Sequence, residues 1–349
     1  MKKINIAIIG YGLVGKRHAE AIEAYPNANL SSIVEINPKS LEGLTENTNF
    51  KIYTEINELI EKDKPDGVII STPTPLHVNQ AMTLIECGIP VLIEKPISVE
   101  SKDAISLVKK SQELQVPVLV GHHRRHNSII QKAKEILDKG SIGEIRSVQT
   151  TSWFYKPNEY FNTAPWRKKF GAGPVSVNLV HDVDLLRYFC GEVKSVTAHA
   201  IKSRRGYENE DLASAILTFK NDIIATISVS DSIASPWSWE MTSKEYPVYH
   251  QVDASCYLIG GSDGSLSIPD LSLWKHENKP DWWSPLTVNR AEPIEKIDPL
   301  VSQIQNFVEV INGVSTPIVS GLEGLKSLHV IECIQQSIKT SKSINIQDL

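Results

Sequence analysis

The stretch Ile4-Asn5-Ile6-Ala7-Ile8-Ile9-Gly10-Tyr11-Gly12-Leu13-Val14-Gly15 decides how the first half of the chain folds. Ile4, Ile6, Ala7, Ile8 and Ile9 form a short, nearly continuous apolar run, the pattern of a parallel strand covered on both faces. Gly10 permits a tight turn, Gly12 lets the main chain approach a pyrophosphate, and Gly15 lets the next helix pack closely on the strand. That helix, about Leu13 to Ala24, offers its unpaired N-terminal amides to an anion. Tyr11, Leu13 and Val14 share the turn and are expected to contact the same cofactor. A lone GxGxxG is weakly specific, and the surrounding elements add the specificity. A second strand, Leu30 to Val34, ends in Glu35, twenty residues past Gly15, where a carboxylate accepts hydrogen bonds from ribose hydroxyls. A carboxylate there repels a 2′-phosphate, and Ile36-Asn37-Pro38 supplies no arginine, so NAD is expected over NADP. Lys39, one turn on, is the nearby cation that weighs against this preference.

Strand-like and helical runs then alternate to Gly121, as in a doubly wound parallel sheet. Further strands are expected near Phe50 to Tyr53, Gly67 to Ser71, Val91 to Glu94 and Val116 to Val120, six in all, with helices over Pro75 to Cys87 and Lys102 to Gln115. Past Gly121 comes a helix, about Ile129 to Lys139, and strands then dominate: Ile145 to Tyr155, Val193 to Lys202, Ala213 to Phe219, Ile223 to Val229, Cys256 to Gly260 and Ser265 to Ile268. Hairpin turns such as Lys220-Asn221-Asp222 and Gly260 to Gly264 make this second sheet largely antiparallel. One strongly apolar helix, Pro174 to Phe189, lies among these strands, and helices over Pro299 to Asn312 and Gly321 to Thr340 close the chain. The fold class expected is α/β: a Rossmann dinucleotide-binding domain, residues 1–121, and an α+β domain, residues 122–349, for substrate binding and oligomerisation.

The 349 residues are ample for two domains, and a formal net charge of -5 gives no reason to expect a nucleic-acid partner. Cys87, Cys190, Cys256 and Cys333 have neither CxxC nor zinc-like spacing and read as reduced thiols of a cytoplasmic protein. Lys2-Lys3 ahead of the first apolar run imitates a secretion signal, but Asn5 and the glycines interrupt that run and no small-residue cleavage site follows. No run reaches the roughly 18 apolar residues of a membrane span.

Ligands of open α/β sheets bind beyond the carboxyl ends of the strands, and Thr72-Pro73, Glu94-Lys95-Pro96 and His122 all follow strand ends. They are expected on the nicotinamide side. A solvated surface charge is the bland alternative for Lys95. His181 lies on the apolar Pro174 to Phe189 helix, where Asn178, Asp182 and Asp184 also need partners if buried. Asn178 is three residues from His181 and four from Asp182, so these can share a face. The bland alternative is a core histidine satisfied by Asp184. His122-His123-Arg124-Arg125-His126 lacks a carboxylate or cysteine partner, and its arginines repel a cation, so no metal is expected and a substrate- or phosphate-contacting loop is. Trp153, Tyr155, Trp166, Trp237 and Trp239 are open to sugar stacking, core packing or a subunit interface. Trp282-Trp283 is read as an interface or lid.

The ordered series Gly10 to Gly15, Asp66-Gly67-Val68-Ile69-Ile70-Ser71-Thr72-Pro73 with His77, Gly88 through Glu94-Lys95-Pro96, Gly121 to Arg125, Gly140 to Gly143, Trp166-Arg167 and Gly171-Ala172-Gly173 to His181-Asp182-Val183-Asp184 resembles the glucose-fructose oxidoreductase and inositol 2-dehydrogenase family over nearly the full length. The resemblance implies NAD(P)-dependent oxidoreduction, a cis peptide before Pro96, and Lys95 and His181 at the reaction centre. It also extends the cofactor contacts to Ser71, Thr72, Pro73, His77, Glu94, Lys95, Arg124, Trp166 and Arg167. Substrate contacts are expected from Lys95, His122, Arg124, Tyr155, Trp166, Asn178 and His181. Many members carry an aspartate four residues before the histidine. Here that position is Val177, which leaves two arrangements open: Asn178 orients the substrate, or His181 and Lys95 pass the proton alone.

The chemistry expected is hydride transfer between nicotinamide and a secondary alcohol or ketone of a sugar, sugar acid or cyclitol. His181 serves as general base with Lys95 as electrostatic stabiliser, or the reverse. The rivals are a non-catalytic NAD-binding sensor, a glycoside-cleaving enzyme that recycles bound NAD, and a reductase of non-sugar carbonyls or diols. A homodimer or homotetramer is expected, joined through the second-domain sheet.

Overall fold

The computed structural model describes residues 3–42, 49–292, 297–347 and 349, so Lys2 of the basic pair lies outside the described residues. The chain forms two compact units. The first comprises Met1–Asn127 and Ile297–Leu328, the second Ser128–Lys296 and His329–Leu349.

The first unit is built on a six-stranded parallel sheet: β1 (Ile4–Ile9), β2 (Ala28–Val34), β3 (Lys51–Tyr53), β4 (Gly67–Ile70), β5 (Val91–Ile93) and β6 (Val118–Val120). Their spatial order is β3-β2-β1-β4-β5-β6. The order reverses between β1 and β4, and that switch point is where such sheets take their ligand. β4, β5 and β6 are buried throughout, as strands covered by helices on both faces must be. The helix Pro299–Ile311 supplies part of that cover, packing Ile304, Phe307 and Val308 with Ile6, Ile8 and Ile22. Gly67 is small because of it: a Cβ there would stand 2.6 Å from Ile311 and 2.8 Å from Phe307. A helix well beyond the last parallel strand thus belongs with the first compact unit.

The second unit holds a nine-stranded sheet: β7 (Ile145–Trp153), β8 (Val193–Lys202), β9 (Glu210–Phe219), β10 (Ile224–Ser230), β11 (Tyr257–Gly261), β12 (Gly264–Ile268), β13 (Ser272–His276), β14 (Leu286–Arg290) and β15 (Ile344–Asn345). The order is β14-β13-β12-β11-β7-β10-β9-β8-β15, antiparallel except where β10 runs parallel to β7. Asp222 takes the left-handed backbone (φ 64°) that the β9–β10 turn requires. One face of β9, from Asp211 through Ala213, Ala215 and Leu217 to Phe219, is buried in the core that includes the helix Leu179–Cys190. The opposite face presents Ile216, Ile224, Leu258, Trp274, Leu286 and Val288 to solvent.

Three features depart from the sequence reading. β13 and β14 are additional, and their half-exposed, mixed-polarity residues give little apolar alternation. β15, two residues long, is below the reach of any pattern. The helix expected over Pro174 to Phe189 is two helices, Pro174–Val177 and Leu179–Cys190, meeting at Asn178. The His181 amide bonds back three residues to the Asn178 carbonyl at 3.1 Å, a tighter turn than the α-helix makes.

Candidate active site

In the first unit, β1 delivers Gly10 in a conformation (φ 87°) that favours glycine. A Cβ on Gly15 would collide with the Gly10 carbonyl oxygen, so the helix Leu13–Ala24 starts this close to the turn only without one. At Gly12 a Cβ would meet no protein atom within 4 Å, and no side chain caps the helix that Gly12 precedes. The turn thus leaves open space at a helix N-terminus, the arrangement that takes a pyrophosphate, and the first unit fits a dinucleotide. Leu13 and Val14 are exposed beside it. At the end of β2, Glu35 accepts hydrogen bonds from the Tyr11 amide (2.7 Å) and the Asn37 amide (2.8 Å), fixing one negative charge against the glycine turn.

The ends of β4 and β5 are tied to this turn. Ser71 Oγ donates to the Gly10 carbonyl at 2.7 Å, and Thr72 Oγ1 donates to Gln80 Oε1 at 2.6 Å. His77, expected among the cofactor contacts, has both ring nitrogens turned to main-chain carbonyls: Nε2 lies 2.8 Å from the Thr72 oxygen and Nδ1 3.0 Å from the Pro96 oxygen. Burial lowers its pKa against the pull of those carbonyls, and a neutral ring donates to one of them only. His77 thereby links the segment holding Pro73 to the segment holding Lys95, whose peptide with Pro96 is cis.

Glu94 precedes Lys95, and its side chain turns inward. Oε1 accepts from His18 Nε2 at 2.8 Å, and Oε2 from the Lys95 amide at 3.2 Å. Burial alone would raise this carboxyl; the hydrogen bond and charge of His18, with Lys95 and His123 nearby, outweigh burial and hold it at about 2. Gly121 makes the room, since a Cβ there would stand 2.8 Å from Glu94 Oε1. His122 and Arg124 are almost wholly buried at and just after the end of β6, and Arg125 is paired with Glu323 at 3.1 Å. The basic run is thus a packed turn, His123–His126, in which Arg125 is engaged in an internal ion pair.

In the second unit His181 is 8% exposed on the helix Leu179–Cys190, and Asp182 accepts a hydrogen bond from the Tyr257 hydroxyl. Asn178 Oδ1 accepts from Lys156 Nζ at 2.6 Å. Lys156 joins a buried group in which Arg205 pairs with Asp231 at 2.7 Å. Burial raises the Asp231 pKa despite the Arg205 hydrogen bond and the Lys156 and Arg205 charges, and burial likewise raises that of Glu210. Glu210 accepts from the Val175 amide at 3.0 Å, and a Cβ on Gly173 would strike its carboxylate. Tyr155 lies beyond β7 and is half exposed, with the Arg205 guanidinium 5.6 Å from its ring. Trp166 is 59% exposed, whereas Arg167 is committed within the unit, donating to the Tyr160 carbonyl at 2.7 Å and stacking 4.0 Å over the Tyr160 ring.

Sequence reasoning passed over His18 and Lys156. The position of His18, three residues after Gly15 on the first helix, was the available signal; Lys156 offered none beyond its place among aromatic residues after a strand. Among the described residues no group of three or more His, Cys, Asp and Glu side chains is arranged to hold a metal ion. No helix of the described residues is long and apolar enough to cross a membrane.

Fold and site together define an NAD-binding oxidoreductase. The family model described as the oxidoreductase family's NAD-binding Rossmann fold matches residues 4–122, and that of the GFO/IDH/MocA C-terminal domain matches residues 130–267. The chain belongs to the GFO/IDH/MocA family of oxidoreductases. It is 24% identical to the scyllo-inositol 2-dehydrogenase (NADP(+)) IolW of Bacillus subtilis, covering 99% of this chain and 96% of the relative. It is 22% identical to the myo-inositol 2-dehydrogenase of Thermotoga maritima, covering 99% of each. The crystal structure of an oxidoreductase from Agrobacterium radiobacter in complex with NAD+, L-tartaric acid and magnesium shares the fold, with a TM-score of 0.84 at 19% identity over 99% of both chains.

Proposed function

We propose that the protein interconverts a secondary alcohol and the corresponding ketone on a cyclitol, sugar or sugar acid, with Lys95 and His181 at the reaction centre. The observation that carries this reading is Glu94-Lys95-cis-Pro96 at the end of β5, its glutamate held ionised by His18 beside the open glycine turn. When bound, the nicotinamide accepts or returns the hydride. The chain's part is the proton and the charge. In the oxidative direction the His181 imidazole takes the substrate hydroxyl proton, and the Lys95 ammonium favours the developing oxyanion. In reduction His181 returns that proton.

NAD is the cofactor in this reading, because the Glu35 charge is fixed by two amides where a 2′-phosphate would lie. The naming of one relative as NADP(+)-dependent makes this a point to measure. A homodimer or homotetramer formed through the exposed face of the nine-stranded sheet, in the cytoplasm, completes the reading; none of the four cysteines is in a disulfide.

The test is a panel of myo-inositol, scyllo-inositol, aldoses, keto-sugars and tartrate screened with NAD and NADH by nicotinamide absorbance. Turnover of a polyol with NAD supports the proposal. Cofactor that co-purifies and shows no net absorbance change while a glycoside is cleaved would replace it with the cofactor-recycling chemistry. An enzyme inert on the whole panel would sink it.

A further inference from the structure

Lys156 is 6% exposed although it carries a full charge, and burying an ammonium is costly unless partners compensate it. Both ends of its main chain are pinned: its amide donates to the Asp231 carbonyl at 2.9 Å, and its carbonyl accepts from Arg205 Nη2 at 3.0 Å. Its Nζ lies 5.0 Å from the Tyr160 ring centroid and feels the Asp231 carboxylate. The atom it is aimed at is Asn178 Oδ1, at 2.6 Å.

An ammonium donates and cannot accept, so the end of the Asn178 amide that meets it must be the oxygen. That settles an orientation which an isolated amide leaves ambiguous. Nδ2, with two N–H donors, occupies the other end, and among the described residues it has no hydrogen-bond acceptor although Asn178 is only 9% exposed. The Asn178 main chain is fixed as well, its amide donating to the Pro174 carbonyl at 3.0 Å and its carbonyl accepting from the His181 amide at 3.1 Å. The neighbouring Val177 contributes no polar group.

We infer that Lys156 is a positioning residue that locks Asn178 as a hydrogen-bond donor beside His181, and that the substrate places an acceptor oxygen, of a carbonyl, carboxylate or hydroxyl group, against Asn178 Nδ2. This rests on the dehydrogenase reading, with Asn178 as a substrate contact. An acceptor-poor analogue covers these N–H groups and leaves them unpaired, which is how a polar site rejects a substrate.

The test compares Lys156→Met, Lys156→Arg, Asn178→Ala and the double variant Lys156→Met/Asn178→Ala in the full chain. The probe is whichever of the inositols, aldoses, keto-sugars and tartrate the wild type turns over fastest. Lys156→Met raises KM about tenfold, the scale of one buried hydrogen bond, while NAD affinity by fluorescence titration is unchanged. Lys156→Arg restores most of the loss, because a guanidinium also only donates. The double variant is no worse than Asn178→Ala, since one residue acts through the other. Lys156→Gln, which lets the amide turn either way, substitutes if Lys156→Met does not fold. An unchanged KM in a folded Lys156 variant, or losses that add in the double variant, would overturn the inference while leaving the dehydrogenase reading intact. A wild type inert on the whole panel of inositols, aldoses, keto-sugars and tartrate overturns it together with that reading.

Discussion

His18 and Glu94 form a buried hydrogen bond of 2.8 Å that joins the helix following the glycine turn to the residue preceding Lys95. Cofactor cradle and proposed catalytic lysine are therefore positioned by one polar contact inside one sheet-based unit. Gly121 completes it by leaving the glutamate room. Folding holds the Glu94 carboxyl at about 2 against an ordinary 4.5, so the pair stabilises the native state above the ordinary value. That contribution is lost as pH falls from about 4.5 towards 2. In melting curves measured down this range, His18→Leu should start less stable than the wild type and lose less stability as the pH falls, because burial without His18 no longer holds the Glu94 carboxyl below its ordinary value. Parallel acid profiles for the two proteins would rule out the pair as the cause.

Two glycines of the turn separate folding from binding. Gly12→Ala adds a methyl group into space that holds no protein atom, on an ordinary backbone (φ -74°). It should melt like the wild type and bind NAD about tenfold or more weakly, because the methyl stands where the pyrophosphate approaches. Gly15→Ala drives its methyl into the Gly10 carbonyl and should lower the melting temperature itself. Equal effects of the two substitutions on melting would show that the open space at Gly12 is not a ligand site.

Why some of this was legible and some was not follows from the range of the forces involved. The glycine turn could be read because φ restrictions and close approach act within a few residues. The place of Glu35 at the end of β2 could be read because a fixed number of residues spans one β-α-β crossover. The break at Asn178 could not, since the apolar residues continue through it and only a buried lysine from another segment picks that residue out. The return of Pro299–Ile311 to the parallel sheet is likewise invisible locally: its apolar face says that it is covered, without saying by which sheet. His77 shows the opposite case, a residue found by motif whose ring nitrogens the fold uses to join two loops.

In the proposed reading, cofactor choice turns on the charge that Tyr11 and Asn37 hold in place at Glu35. Glu35→Ser with Ile36→Arg removes that charge and adds a phosphate partner. The ratio of kcat/KM for NADP over NAD should rise about a hundredfold, as expected when a like-charge contact worth several kcal/mol is reversed. A wild type that already prefers NADP would show that the fixed carboxylate does not decide the matter.

The exposed face of the nine-stranded sheet pairs apolar residues across strands, with Trp274 opposite Val288 on β13 and β14. An exposed apolar patch of this kind is the surface that the proposed association would use. Light scattering at micromolar concentration should give a dimer or tetramer. Ile216→Glu with Leu258→Glu, both half exposed on that face, should give a folded monomer. A wild type that is monomeric, or a double variant that remains associated, would assign the patch another role.

The last expectation concerns the chemistry. His181 is largely buried on a helix whose preceding junction is held by Lys156, which suits a group that must keep one orientation while it gains and loses a proton. His181→Asn should lower kcat by about 10² to 10⁴, the range for general acid-base catalysis, with NAD affinity nearly unchanged because the dinucleotide cradle belongs to the first unit. Lys95→Ala should cost at least as much, since it removes both a substrate contact and the charge that favours the oxyanion. Two groups serving one proton path are not independent, so the double variant should be little worse than either single one. Single-turnover rates on the panel substrate decide this. Losses that multiply in the double variant would mean that the two residues serve separate steps, and a folded, NAD-binding His181→Asn protein with wild-type turnover would take the imidazole out of the mechanism and leave Lys95 to carry it.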